Sequence, residues 1–165
     1  MIRVLFVCLG NICRSPMAEA VFMHKVRAEG LSDQIEADSA GTGAWHIGKP
    51  PHPGTCQVLE ANGISYSHRG RQLKEKDLKT FHYVVVMDEW NFKDVKRFRP
   101  GSAKVVRLLE YAPQTGVEDV PDPFNTGGFE GVYALIDAAT TGLLQAVCEE
   151  HSLVAVGAAA ARVQS

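Results

Sequence analysis

The sequence is short of cysteine, of surplus charge and of long apolar runs, and each shortage narrows what the chain can be. The 4 cysteines among 165 residues are too few for a disulfide scaffold. They suit a reducing, cytoplasmic setting with free thiols. With 17 basic and 19 acidic residues the net charge is -2. A chain so near neutrality is poorly suited to wrapping nucleic acid or coating an anionic membrane. No uninterrupted apolar run nears the ~18 residues that a membrane span needs. The opening residues 1–8 are too short for a signal peptide. Solenoid repeats and Pro/Gly/Ser-rich linkers are missing too. What is present is a chain 45% apolar, enough to bury one compact domain and too short for two ordinary ones.

Short apolar runs alternate with helical patterns. Val4-Leu5-Phe6-Val7 is continuous in its apolar character, as in a strand buried on both faces. Ser15-Pro16 reads as a helix start, with Ser as N-cap and Pro first in the helix, and Gly30 reads as its stop. Further strands are expected at residues 35–40, 83–87 and 104–108, with a short one at 66–69. Helices are expected at 53–61, 88–98 and 129–150. Residues 112–130, rich in Pro, Gly, Asp and Asn, form a loop long enough to suggest function. The Ala-rich stretch 154–165 extends the last helix or frays. Strands alternating with crossovers of more than ten residues imply a four-stranded, doubly wound parallel sheet with helices on both faces. Ligands bind such sheets at the C-terminal ends of the strands, which directs attention to Cys8.

There the sequence runs Cys8-Leu9-Gly10-Asn11-Ile12-Cys13-Arg14-Ser15-Pro16. A short Gly-containing loop between a strand and a helix N-terminus can turn successive amides inward as an anion nest. The helix dipole adds partial positive charge there. Arg14 can grip two phosphate oxygens with its planar fork. The same field favours the thiolate of Cys8, which would lie beneath a bound phosphoryl group as a nucleophile. Ser15 can hydrogen-bond the sulfur, and Asn11 can hold the loop. Cys8 and Cys13 lack zinc-ligand spacing, and no G-x-x-x-x-G-K-[ST] loop is present. The departing oxygen needs a proton, and the long loop offers Glu118, Asp119 and Asp122. Asp122 stands between Pro121 and Pro123. By pattern alone this reads first as a solvated turn of the Pro-Asp-Pro type, and only the pairing with the Cys8 loop raises Asp122 above that.

Residues 7–19 resemble the signature of the low-molecular-weight protein tyrosine phosphatases almost residue for residue. Asp122-Pro123-Phe124 resembles their Asp-Pro-aromatic acid loop, and residues 38–48 and 71–73 are similar as well. The similarity spans roughly residues 3–150. It implies a catalytic domain of residues 1–150 and an Ala-rich tail, 151–165, outside it. It also implies a phosphate-binding loop after the first strand, and phosphotyrosine hydrolysis through a phosphocysteine on Cys8. Arg14 and the amides of Leu9, Gly10, Asn11, Ile12 and Cys13 would stabilise the transition state. Asp122 would be general acid and then base. Asn11, Ser15, Ser39 and His68 would support the loop, and Trp45 and Phe124 would wall the substrate slot. No metal or cofactor is implied.

The implied partners are a phosphotyrosine-containing protein, and phosphate or similar oxyanions in the site. Nucleic acid and membrane are not among them, and the chain would be a monomer or a weak dimer. Small aryl phosphates would also be substrates. Ile12 suits phosphotyrosine enzymes, where the phosphoarginine branch carries Thr. Cys13 either fills the core or, as in the family, forms a reversible disulfide with Cys8 on oxidation. Cys56 and Cys148 read as buried helix residues. His52-Pro53-Gly54 departs from the family's Asp-Pro-Arg, and Asn125 from a second aromatic. An arsenate reductase of the same fold would need a further close Cys pair, and no Cys lies between Cys56 and Cys148.

Overall fold

The computed structural model describes residues 1–154. Its centre is a parallel sheet of β1 (Ile2–Cys8), β2 (Ile35–Gly41), β3 (Tyr83–Val86) and β4 (Lys104–Arg107), in the order β2-β1-β3-β4. β1 pairs along its whole length with β2, from Ile2 opposite Ile35 to Cys8 opposite Gly41. On its other edge it pairs with β3, from Val4 opposite Tyr83 to Val7 opposite Val86. Parallel neighbours need crossovers. These are supplied by α1 (Arg14–Ala28), by α2 (Pro53–Ala61) with α3 (Asp77–Thr80), and by α4 (Glu89–Val95), while α5 (Pro123–Thr126) and α6 (Phe129–Glu150) follow the last strand. The result is the expected single α/β domain with a loop between β1 and α1.

The unbroken apolar run in β1 has a direct cause. Side chains alternate between faces, and both faces are covered. Val4, Phe6 and Cys8 pack with Val21 and Phe22 of α1 and Ile136 and Leu143 of α6. Leu5 and Val7 pack on the opposite face with Leu78, Phe81 and Val95. Phe6 meets Phe22 edge-on, with centroids 5.4 Å apart. Full burial of a side chain this size contributes about 1.5–3 kcal/mol, and Phe6→Ala at this junction would cost about 3–5 kcal/mol. By length and composition α6 could cross a bilayer, a signal the search for an uninterrupted run does not register. Its stripe of Val132, Ile136, Ala139, Leu143 and Val147 is buried, which makes it a core helix of this fold.

Several local expectations need correction. Ser15 is not an N-cap: α1 starts at Arg14 and Cys13 occupies the cap position without a side-chain bond. The Ser15 hydroxyl is used by the loop instead. No strand forms at 66–69; beyond the named strands there is, among the described residues, one bridge, Gly41 to Gln72. Asp88 is the cap of α4 rather than its first residue, and its carboxylate and the Asn91 side chain form a reciprocal capping box. The loop 112–130 contains a short 3-10 turn and the single-turn α5. Cys56 is exposed on α2 and Cys148 is half-buried. The stretch 154–165 lies, after Val154, outside the described residues, and α6 itself ends at Glu150.

Candidate active site

Five residues join Cys8, the last of β1, to Arg14, the first of α1, at the C-terminal edge of the sheet. The loop is held from outside by its carbonyls. Thr42 and Gly43 amides donate to the oxygens of Cys8 and Leu9, each at 2.9 Å, and the His52 amide donates to Ile12 at 2.8 Å. The Thr55 hydroxyl donates to Cys13 at 3.1 Å. With those oxygens engaged outward, the N–H ends of the peptide dipoles face the loop's interior. β2 presses close: a Cβ on Gly41 would lie 2.8 Å from the Leu9 oxygen, so only glycine fits.

Asn11 takes the left-handed conformation, φ 57°, while buried. Its side chain supports the strain. Nδ2 donates to Ser15 Oγ at 2.8 Å, and Oδ1 accepts from the Arg71 amide at 3.0 Å and His68 Nε2 at 2.8 Å.

The Cys8 sulfur lies buried at the foot of the loop. It accepts the Asn11 amide at 3.3 Å and stands 3.0 Å from Ser15 Oγ. Because the Asn11 side-chain Nδ2 already donates to that hydroxyl, the Ser15 hydrogen is free to point at the sulfur. Arg14 is almost wholly buried. Its Nη1 donates to Asp88 Oδ2 at 2.6 Å and to the Val120 carbonyl at 3.0 Å. Its Nη2 stands 3.6 Å from Asp122 Oδ2. Burial opposes the guanidinium charge, but the Cys8 sulfur and the carboxylates of Asp88 and Asp122 outweigh it and hold the group above its usual range. Its buried Nε has no acceptor among the described residues, which fits a donor kept for an external oxyanion.

Above the sulfur opens a cleft of about 450 Å³, walled by the loop, Trp45, His46, Asp122, Phe124 and Asn125. Trp45 is 68% exposed and Phe124 44%, so both stand at the rim rather than deep in a slot. Asp122 caps the one-turn α5, its Oδ1 accepting the Phe124 amide at 3.1 Å. A buried sulfur, a fixed guanidinium and a half-exposed carboxyl thus converge on one anion-sized space.

The family model for low molecular weight phosphotyrosine protein phosphatase matches residues 3–153. The chain belongs to this family. The low molecular weight protein-tyrosine-phosphatase YfkJ of Bacillus subtilis is 46% identical over 156 residues, 93% of this chain and 100% of the relative. Its crystal structure superposes with a TM-score of 0.88, covering 91% of this chain and 96% of that one. The low molecular weight phosphotyrosine protein phosphatase of Schizosaccharomyces pombe is 50% identical over 133 residues, 79% of this chain and 85% of its own. The crystal structure of DARP, drosophila arginine phosphatase, is 32% identical with a TM-score of 0.82, covering 87% and 96%.

Behind the phosphatase loop lies a layer that sequence reading recovered only in part. Ser39 Oγ is 3.3 Å from His68 Nε2. The Asn11 oxygen that faces Nε2 can only accept, so Nε2 carries a hydrogen. His68 Nδ1 then faces Glu19 Oε1 at 3.7 Å. Burial pushes the Glu19 carboxyl up to about 7 and the His68 imidazole down.

Glu19, Asp38 and His68 offer atoms within 4.8 Å of one another, a geometry open to a metal. However, Asp38 is tied to Arg71 at 2.9 Å and His68 Nε2 to Asn11. Burial, with the nearby Cys8, pushes the Cys13 thiol up to about 12, so it is held as the neutral thiol. Asp88, Val120, Glu19 and Arg71 were missed in sequence. Asp88 had a signal, being the first polar residue beyond β3 on the same sheet edge as Cys8.

Proposed function

We propose that Cys8, Arg14 and Asp122 carry out phosphotyrosine hydrolysis in this protein-tyrosine-phosphatase. The domain of residues 1–150 carries the activity, joined by His151, whose Nε2 stands 2.9 Å from Tyr83 Oη, and by Leu153, which packs against the core. The observation that carries this is the Cys8 sulfur at the foot of an amide-lined loop, bonded by Asn11 and Ser15 beside the buried Arg14. The sulfur attacks phosphorus, an S–P bond forms, and the P–O bond to the phenolic oxygen breaks. The Asp122 proton passes to that oxygen, so tyrosine leaves neutral. Asp122 then takes a proton from water as its oxygen attacks phosphorus. The S–P bond breaks, returning the thiolate and releasing phosphate. Arg14 and the loop amides stabilise the charge on the three equatorial oxygens throughout. Leu9, Gly10, Ile12 and Cys13 supply loop amides, Ser39 and His68 hold Asn11, and Trp45 and Phe124 flank the tyrosyl ring at the rim.

The substrate is a phosphotyrosine-bearing protein, with small aryl phosphates also accepted, in a cytoplasmic setting. The test is a panel of tyrosine, serine and arginine phosphopeptides, with arsenate reduction assayed beside it. Phosphotyrosine should be turned over, Cys8→Ser should abolish turnover while retaining phosphate binding, and Asp122→Ala should slow esters with poor leaving groups most. Normal rates in both variants would refute the mechanism. Turnover of phosphoarginine alone, or arsenate reduction alone, would refute the substrate.

A further inference from the structure

His52 lies between the two phenyl rings that bracket the acid loop. Its ring stacks on Phe129 with centroids 4.9 Å apart and planes at 24°, and meets Phe124 edge-on at 5.9 Å and 72°. His46 touches the far side of Phe124, at 5.8 Å. His52 is itself fixed twice. Nδ1 accepts the Gly54 amide at 2.9 Å, capping α2, and its own amide donates to the Ile12 carbonyl at 2.8 Å. One residue therefore joins the loop carrying Cys8 and Arg14 to the loop carrying Asp122.

Gly54 clears the seat, since a Cβ there would come within 2.5 to 2.6 Å of three Phe129 ring carbons. The acid loop is anchored before Asp122 at the buried Val120, whose amide donates to the Met87 carbonyl at 2.9 Å and whose carbonyl accepts from Arg14 at 3.0 Å, but past Asp122 it has few fixed points. α5 is four residues long with Pro123 its one buried member, and it ends in Gly127 and Gly128, both at positive φ. The His52-Pro53-Gly54 departure from the family pattern is thus where this ring socket is built.

We infer that His52 is a positioning residue, docking the Asp122 loop through Phe124 and Phe129 onto the base of the phosphate loop and so setting where the carboxyl stands over Cys8. This rests on Asp122 being the acid, as proposed above. Two substitutions separate the roles of the ring and the cap. His52→Asn keeps an acceptor for the α2 cap and removes the ring; His52→Phe keeps a ring and removes the acceptor.

The experiment measures kcat/KM over aryl phosphates of rising leaving-group pKa, with Asp122→Ala in parallel. His52→Asn should lose roughly tenfold on phenyl phosphate and less than about twofold on dinitrophenyl phosphate, because a misplaced acid matters only where the leaving oxygen needs a proton. His52→Phe should restore the normal profile at a lower Tm. In an Asp122→Ala background His52→Asn should change nothing more, the non-additivity of two residues acting through one step. Gly54→Ala, which displaces the Phe129 ring and leaves His52 intact, should reproduce the His52→Asn profile.

If Asp122→Ala steepens the leaving-group dependence and His52→Asn does not, the role of His52 is overturned and the acid stands. If neither steepens it, the acid assignment falls, and the positioning role with it. A uniform loss on every ester in both His52 variants also overturns the positioning role, since it marks folding alone.

Discussion

Replacing Asp88 by Asn isolates the charge that holds Arg14. The two side chains meet at 2.6 Å and are 3% and 16% exposed, so water screens them little. Unit charges about 4 Å apart attract by about 4 kcal/mol at an effective dielectric near 20. Removing one member of a buried pair costs about 3–5 kcal/mol. Asn keeps an oxygen for the guanidinium and for the α4 cap, where Asp88 Oδ1 accepts the Asn91 amide at 2.8 Å, and a neutral hydrogen bond returns about 1 kcal/mol. The expected loss is about 2–4 kcal/mol, a fall in Tm of about 4–16 °C for a chain this size.

Arg14 would then keep the Val120 carbonyl and drift toward Asp122, and kcat/KM on an aryl phosphate should fall by about tenfold to a hundredfold. Asp88→Ala should add about 1 kcal/mol for the lost cap. Thermal unfolding and steady-state turnover on purified protein are the assays. A Tm within about 1 °C of wild type together with unchanged turnover would show that Val120 and the loop hold Arg14 unaided, and the reasoning would fail.

Two further outcomes follow from the buried groups. Glu19 binds its proton more tightly folded, up to about 7, than unfolded, so the wild-type protein loses stability as pH rises from about 4.5 to about 7. Glu19→Gln removes that titration, so the difference in unfolding free energy between the two should shift toward the variant across that interval; a pH-independent gap would contradict it. Cys13, held as a thiol, should resist iodoacetamide at neutral pH while the exposed Cys56 reacts and phosphate protects Cys8. Early modification of Cys13 in a mass-spectrometric time course would count against this.

What could be read from the sequence follows the range of the interactions. The loop between β1 and α1 is local: its strand, its glycine and its cation lie within a few residues, and burial on both faces writes itself into Val4-Leu5-Phe6-Val7. Asp88 lies 74 residues from Arg14, and only the pairing of β3 with β1 brings them to one edge. Ser15-Pro16 has the composition of a helix start, yet the hydroxyl does more for Cys8 and Asn11 than it would for the first amides of α1. The strand expected at 66–69 does not form: Tyr66 packs on the core with its ring stacked near His68, and no strand partner lies alongside among the described residues. Cys56 was misjudged because helical spacing says which residues share a face and not which face is covered.

The packing of α6 over α1 sets the order in which the catalyst can come into being during synthesis. Cys8 and Arg14 leave the ribosome early, but Phe22 and Val21 beside them lack their cover until Ile136 and Leu143 have been made. Asp122 also arrives late. A nascent chain that has not reached α6 carries Cys8 and Arg14 without the helix that covers α1, so the loop between them gains that support only when α6 docks.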